Sequence, residues 1–340
     1  MTRRELLALA AAAPLAAQDV YDLLLKGAHV IDPKNRRNGI MDIAIGGGKI
    51  RKIGSAIPAA HSRRVVELGG FYVTPGLIDI SGNFGSSGGV NPDHNSLRAG
   101  VTTVVDSVSV NAGSLAAFQR DVAAHAKTRV LAYWNGPNPP AARGKQTDIV
   151  IDVPAPRSFA DAKGGELREG EILTHIYGPT PLPASARRKG VTLDVGHGAS
   201  SFYFRTAVPA IRAGLLPDTI STAMDRKSLL LPRANMTNVL SKFLAMGLTL
   251  DQVIERSTVN AARAIRRPDL GSLEEGAPAD IAALELRTGE FGLLDSGHAK
   301  LTANKELRCI LTVRNGAVAW DSEGLSLTHW RDAGPYSNFK

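Results

Sequence analysis

The stretch Thr74-Pro75-Gly76-Leu77-Ile78-Asp79-Ile80-Ser81-Gly82-Asn83 decides how the chain is read. Pro75-Gly76 punctuates the pattern before it, a short strand-like run follows over 77–81, and small polar residues end it. Similar apolar runs recur at 101–106, 129–135, 149–153, 171–175, 191–195 and 219–222. Helical stretches fall between or after them at 115–126, 206–213, 236–246 and 250–264, the last with Asp251 near its start, where a carboxylate suits the helix dipole. Strands alternating with helices predict βα units and a parallel sheet.

That makes seven strands rather than eight. The segment 136–148 has three prolines, two glycines and no apolar periodicity, whereas a βαβ unit takes roughly 30 residues. On both sides of the central region the texture changes to apolar–polar alternation around glycine-rich turns, over 21–30 and 41–53 and again from 279 to 320. Two such flanks predict that the termini meet in one small β-domain. Cys309, the single cysteine, excludes an internal disulfide and sits in an alternating stretch that predicts a buried strand position.

With 340 residues, 44% hydrophobic and 21% charged, the chain is an ordinary globular protein with room for one large α/β domain and a smaller one. The net charge of +8 raises the question of an acidic partner. The Lys and Arg residues read as scattered, with no basic stripe interleaved with aromatics, so nucleic-acid binding is not expected. Met1-Thr2-Arg3-Arg4-Glu5 and the apolar run behind it read as a secretory signal over residues 1–18, with a twin-arginine character. The run is shorter than the roughly 18 residues of a membrane span. Export to the periplasm or the extracellular space and no membrane span are therefore expected, against the blander reading of a frayed amphipathic helix.

Taken in order, Asp22-Leu23-Leu24-Leu25-Lys26-Gly27, Gly47-Gly48-Lys49-Ile50, Pro75-Gly76-Leu77-Ile78-Asp79, Gly100-Val101-Thr102-Thr103-Val104-Val105-Asp106, Ile172-Leu173-Thr174-His175, Asp194-Val195-Gly196-His197-Gly198, Leu216-Pro217-Asp218-Thr219-Ile220-Ser221-Thr222 and Ala277-Pro278-Ala279-Asp280 resemble the amidohydrolase superfamily. Within it they resemble the dihydroorotase-like branch of amidohydrolase/deacetylase metallohydrolases. The resemblance implies an α/β fold: a TIM-like (β/α) barrel over 75–268, here one βα unit short, and a composite β-sandwich from 19–74 and 269–330, with a tail at 331–340. It also implies hydrolysis of carbon–nitrogen bonds in cyclic amides or N-acyl compounds, with metal ions that activate water and polarise the carbonyl.

Carried over residue by residue, the family's metal centre is largely missing. Ser81 and Asn83 stand where the family has His-x-His, and neither side chain is among the usual zinc ligands. The bridging carboxylated lysine would come from the absent strand; Lys145 lies in that gap with no strand to hold it. Asp152 takes the place of the next histidine, His175 matches, and Ala223 stands where the family places the aspartate that accepts the proton of the attacking water. His175 and Asp152 are thus a residual site for a single Zn²⁺, one short of the usual three protein ligands. His197 and Gly198, in a glycine-flanked strand end that the resemblance sets beside substrate, are the candidate substrate-binding residues for a small amide-like ligand. A triad of Ser200 or Ser201 with His197 and Asp225 can be drawn, without a Gly-x-Ser-x-Gly elbow to support it. No catalytic residue is assigned.

Three readings follow. In the first the chain is an amidohydrolase scaffold with an impaired centre, a pseudoenzyme that keeps a pocket. In the second it is an active metal-dependent amidohydrolase or deacetylase with a site rebuilt from His175, Asp152 and His197 or Asp194. In the third it is a decayed gene product with little stable fold. Losses at four separate strand positions favour the first. A homo-oligomer is compatible with all three.

Overall fold

A computed structural model describes residues 20–85, 89–136, 150–151, 153–162, 167–183 and 186–334. The expected leader over 1–18, Lys145 and Asp152 lie outside these residues. The chain opens with β1 (Leu23–Asp32), β2 (Arg37–Gly46), β3 (Lys49–Gly54), β4 (Val65–Glu67) and β5 (Tyr72–Pro75). It continues through β6 (Leu77–Gly82), α1 (Pro92–Ser96), β7 (Val101–Val110), α2 (Leu115–Asp121), β8 (Arg129–Trp134), β9 (Val150–Ile151), β10 (Ile172–Leu173) and β11 (Thr192–Leu193). Helices α3 (Phe204–Arg212), α4 (Met236–Ala245), α5 (Leu250–Ser257) and α6 (Val259–Ala264) precede β12 (Ile281–Leu294), β13 (Lys300–Arg314) and β14 (Ala317–Asp321).

The two ends of the chain share one eight-stranded sheet, ordered β14-β13-β12-β5-β1-β2-β3 with β4 beside β1. The join is the antiparallel pairing of β5 with β12, Pro75 opposite Ile281 and Tyr72 opposite Leu284. One core under this sheet is built from alternating inward residues such as Val30, Ile43, Ile45, Val73, Ile281, Leu311 and Val313. Cys309 is buried in β13, as its alternating context predicts.

The central strands are parallel. β6 pairs β7, β7 pairs β8 and β8 pairs β9. Arg157, six residues beyond Ile151, bridges Leu173, β10 pairs β11, Asp194 bridges Thr219, and Met224 bridges Gly82 at the end of β6. β9 is therefore the direct neighbour of β8, although only 15 residues separate Trp134 from Val150. The segment at 219–224 lies next to β6, where the chain's first central strand ends.

This last contact is held by a buried carboxyl. Asp79 is 1% exposed; its oxygens accept from the Thr222 amide at 3.0 Å, the Thr222 hydroxyl at 2.5 Å and the Ser81 amide at 3.3 Å. Burial pushes the Asp79 carboxyl up to about 7 against the pull of these donors, with the nearby Asp194 adding to the rise.

The expected helix over 250–264 is interrupted. Thr249 and Gln252 form a reciprocal capping box that starts α5. At its end the Ser257 and Thr258 hydroxyls donate to the Val253 and Ile254 carbonyls, and Thr258, at φ −129°, breaks the helix before α6 begins. Helix α2 is shorter than the expected 115–126, breaking at Val122, φ −120°, and giving way to a 3-10 turn at Ala123–His125. No helix among the described residues is long and apolar enough to cross a membrane.

Replacing Asp79 by Ala leaves the buried Thr222 amide and hydroxyl without their acceptor, and should cost roughly 2–3 kcal/mol. Urea unfolding measures this directly; a loss near zero would show that the contact between 219–224 and β6 is held by something else.

Candidate functional site

The strand ends bring the substituted positions together. The Ala223 amide donates to the Ser81 carbonyl at 2.7 Å and the Asn83 amide to the Met224 carbonyl at 2.8 Å. Gly198 joins them, its amide donating to the Thr222 carbonyl at 2.8 Å, and a Cβ placed on it would lie 3.7 Å from that of Ala223. Ser81, Asn83, Gly198 and Ala223 are thus neighbours in space as the resemblance requires.

His175 follows β10 with its Nδ1 2.6 Å from the Gly196 carbonyl. A carbonyl only accepts, so Nδ1 carries the hydrogen and the lone pair sits on Nε2, which has no hydrogen-bond partner among the described residues. This is the arrangement that orients a metal-ligating imidazole. His175 adopts φ +61° and Ala223 φ +44°, with Gly196 at +50° and Gly198 at +54° between them. Left-handed backbone is uncommon for residues with a Cβ, and it gathers at functional sites. Here it falls at three strand ends bordering one place.

The donors at that place do not fit a catalytic zinc site. His175 supplies one imidazole; Ser81, Asn83 and Ala223 supply a hydroxyl, an amide and a methyl group. Among the described residues no three His, Cys, Asp or Glu side chains are grouped to hold a metal ion. Asp194 is committed elsewhere: fully buried, it accepts from the hydroxyls of Thr174 at 2.8 Å, Thr219 at 2.8 Å and Ser221 at 2.6 Å. Burial raises its pKa while the three hydroxyls oppose that rise. Asp106 is committed too, holding the turn after Asn83 through the Phe84 and Gly85 amides at 3.1 and 2.6 Å.

His197, expected at the mouth, lies beneath it. The ring is 0% exposed, stacks on Phe202 with centroids 4.6 Å apart, and is covered by the tip of the β12–β13 hairpin. At that tip the Ser296 hydroxyl donates to the Gly198 carbonyl at 3.2 Å and the Asp295 carboxylate accepts from the Phe204 amide at 2.9 Å. Both ring nitrogens are taken. Nδ1 donates to the Gly198 carbonyl at 2.9 Å, which leaves Nε2 to accept from Lys242 Nζ at 2.8 Å. With both nitrogens bonded to groups other than a serine, and the Asp225 carboxylate accepting from the Ser228 amide in a local turn, the triad drawn from sequence is not assembled among the described residues.

Lys242 was not singled out by any motif. It sits mid-way along α4 among Val239, Leu240 and Phe243, all 0% exposed, and is itself 0% exposed. Its Nζ reaches His197 and the Pro232 carbonyl at 3.2 Å. Burial lowers its pKa to about 7, Arg233 reinforcing and Asp295 opposing the shift. Burial, then the neighbouring Lys242, hold His197 well below its ordinary value, so the imidazole stays neutral. The only signal in the sequence is a lysine inside an otherwise core-facing helix pattern.

Lys242 has a pH signature. Its folded value of about 7 lies below the unfolded 10.5, so the unfolded chain binds the extra proton between them and stability rises with pH across that window. Cys309, raised from 9.0 to about 12, opposes this from pH 9 upward. Thermal unfolding should therefore shift to higher temperature between pH 7 and 9 in the wild type, and Lys242→Met should flatten the rise. Equal slopes in the two proteins would place the proton elsewhere.

Comparison with known proteins bears on the family and the fold. The Amidohydrolase family model matches residues 162–318. A deacetylase of Agrobacterium fabrum is 24% identical over 328 residues, covering 75% of this chain and 81% of its own. A dihydroorotase of Streptococcus pyogenes is 34% identical over 165 residues, 46% of this chain and 39% of its own. In fold, the crystal structure of an adenine deaminase superposes with a TM-score of 0.75 at 23% identity, covering 89% of this chain and 100% of that one. Residues 162–318 thus match the Amidohydrolase family model, in a chain similar along most of its length to deacetylases, over about half of it to dihydroorotases, and in fold to an adenine deaminase and a dihydroorotase.

Proposed function

We propose that this protein is an amidohydrolase scaffold without the family's metal-dependent hydrolysis, a pseudoenzyme that keeps a pocket for a small amide-like molecule. The observation that carries the reading is the 2.7 Å bond from the Ala223 amide to the Ser81 carbonyl, because it sets the methyl group in the proton acceptor's place beside the hydroxyl in the first ligand's place. Without a carboxylate there, a water at the site has no group to take its proton. His175 is the one remaining imidazole donor, with Asp152 its expected companion. Gly198, against Ala223, borders the pocket, and His197 supports that border from below.

The accompanying fold is a seven-segment (β/α) barrel, one βα unit short, over 75–268, with a composite β-domain from 19–74 and 269–330. The chain of parallel pairings that returns from Met224 to Gly82 supports closure, and the direct pairing of β8 with β9 supports the missing unit. The leader-like 1–18 supports export. The alternative, an active deacetylase with a rebuilt site, rests on the His175 Nε2 lone pair.

The test is turnover of an N-acetyl amino acid and dihydroorotate panel with zinc or manganese supplied. The wild type should give none above background, whereas the triple variant Ser81→His, Asn83→His, Ala223→Asp should bind Zn²⁺ at least about tenfold more tightly. Wild-type turnover that vanishes in His175→Ala would overturn the proposal in favour of a rebuilt site.

A further inference from the structure

Beside the N-terminus of α4, a cleft of about 290 Å³ opens between that helix and the outer strands of the eight-stranded sheet. It is lined by Asn238 of α4, Glu306 and Arg308 of β13, Trp320 of β14, Arg98 from the turn after α1 and Arg233 from the segment before α4. None of these residues belongs to the strand ends around His175.

Two groups in this wall lack partners. The Asn238 side-chain oxygen and the Trp320 Nε1–H are both buried without a hydrogen bond among the described residues, and Asn238 as a whole is 3% exposed. Buried polar groups are nearly always paired, because an unpaired one gives up water and gains nothing in exchange. One lone acceptor and one lone donor at the same cleft match a hydroxyl, which donates to the first and accepts from the second.

The charges indicate what carries that hydroxyl. Arg287 is paired with Glu306 at 3.5 Å, and Arg308 with Glu323 at 2.5 Å and Glu285 at 4.0 Å. Arg98 and Arg233 form no ion pair among the described residues. Arg98 is held over the Trp320 ring, its guanidinium carbon 5.0 Å from the centroid. Arg233, at φ +57°, shortly precedes Asn235, the N-cap of the ten-residue α4, so the positive end of that helix reinforces the two guanidiniums.

We propose that this cleft binds a small hydroxycarboxylate, its carboxylate held by Arg98 and Arg233 and its hydroxyl by Asn238 and Trp320. Guanidinium groups suit a carboxylate because their planar, paired N–H donors match its two oxygens. A single carboxylate fits better than a phosphoryl group, since Glu306 shares the wall and repels further negative charge. The volume suits a small molecule rather than a polymer. The site stands independently of whether the strand ends hold a metal.

Isothermal titration with sodium lactate at low salt tests it, with propionate, the same carbon chain without the hydroxyl, as the comparison. The wild type should bind lactate saturably and propionate at least about fivefold more weakly, the loss expected when buried groups stay unpaired. Arg98→Gln/Arg233→Gln should weaken lactate at least about tenfold. Arg205→Gln/Arg212→Gln, a matched loss of two exposed charges on α3, should change it less than about twofold. Asn238→Leu should bring lactate and propionate within about twofold of each other without lowering the melting temperature, because it removes an oxygen with no partner among the described residues. Absence of saturable lactate binding, equal affinity for propionate in the wild type, tighter binding of inorganic phosphate, a lactate preference that survives Asn238→Leu, or equal weakening in both double variants would overturn the site.

Discussion

The contact between Asp79 and Thr222 is the constraint from which the rest follows. One buried carboxyl takes the amide and hydroxyl of a residue 143 positions further along the chain, and so fixes the last central segment beside the first. Once Thr222 is held, Ala223 must lie against Ser81 and Met224 against Asn83. Asp194 does the same for its neighbours, gathering hydroxyls from Thr174, Thr219 and Ser221. The shape of the strand ends is set by these two carboxyls and by backbone pairing. The contacts of Ala223 with Ser81 and of Asn83 with Met224 run through backbone amides and carbonyls. Backbone contacts of this kind place little demand on which side chains stand there, and the left-handed residues at 175 and 223 belong to the same strand ends.

Two histidines of similar sequence context have taken opposite roles. His175 keeps one nitrogen on a carbonyl and offers the other. His197 is turned inward, with the β12–β13 hairpin closing over it and Lys242 filling its second nitrogen. The hairpin belongs to the eight-stranded sheet, which thereby reaches the segment 198–204 through Asp295 and Ser296. Burying a lysine is costly unless its amine is neutral or paired. Here a neutral imidazole accepts from it, and the pair secures the loop that carries Gly198.

Periodicity was enough to locate six central strands, β6 to β11, because each is a short apolar run bounded by glycine, proline or polar residues; the strand expected at 219–222 is reduced to an isolated bridge at Thr219. It also placed the flanking strands, whose alternation reflects one buried face. Helix ends were less legible: α5 and α6 look continuous in sequence, and only the side-chain bonds of Ser257 and Thr258 to carbonyls separate them. The substituted positions were legible because they stand in matched motifs. The environment of His197 was not, since its partners Lys242 and Ser296 are 45 and 99 residues away.

On the proposed reading, too few electron-pair donors converge at these strand ends to hold an ion that activates water. Elemental analysis of protein purified after zinc and manganese supplementation, then dialysed against a weak chelator, measures this directly. Well under one metal ion per chain is expected. One or more ions per chain that resist the chelator, and that are lost on replacing His175 by Ala, would contradict it.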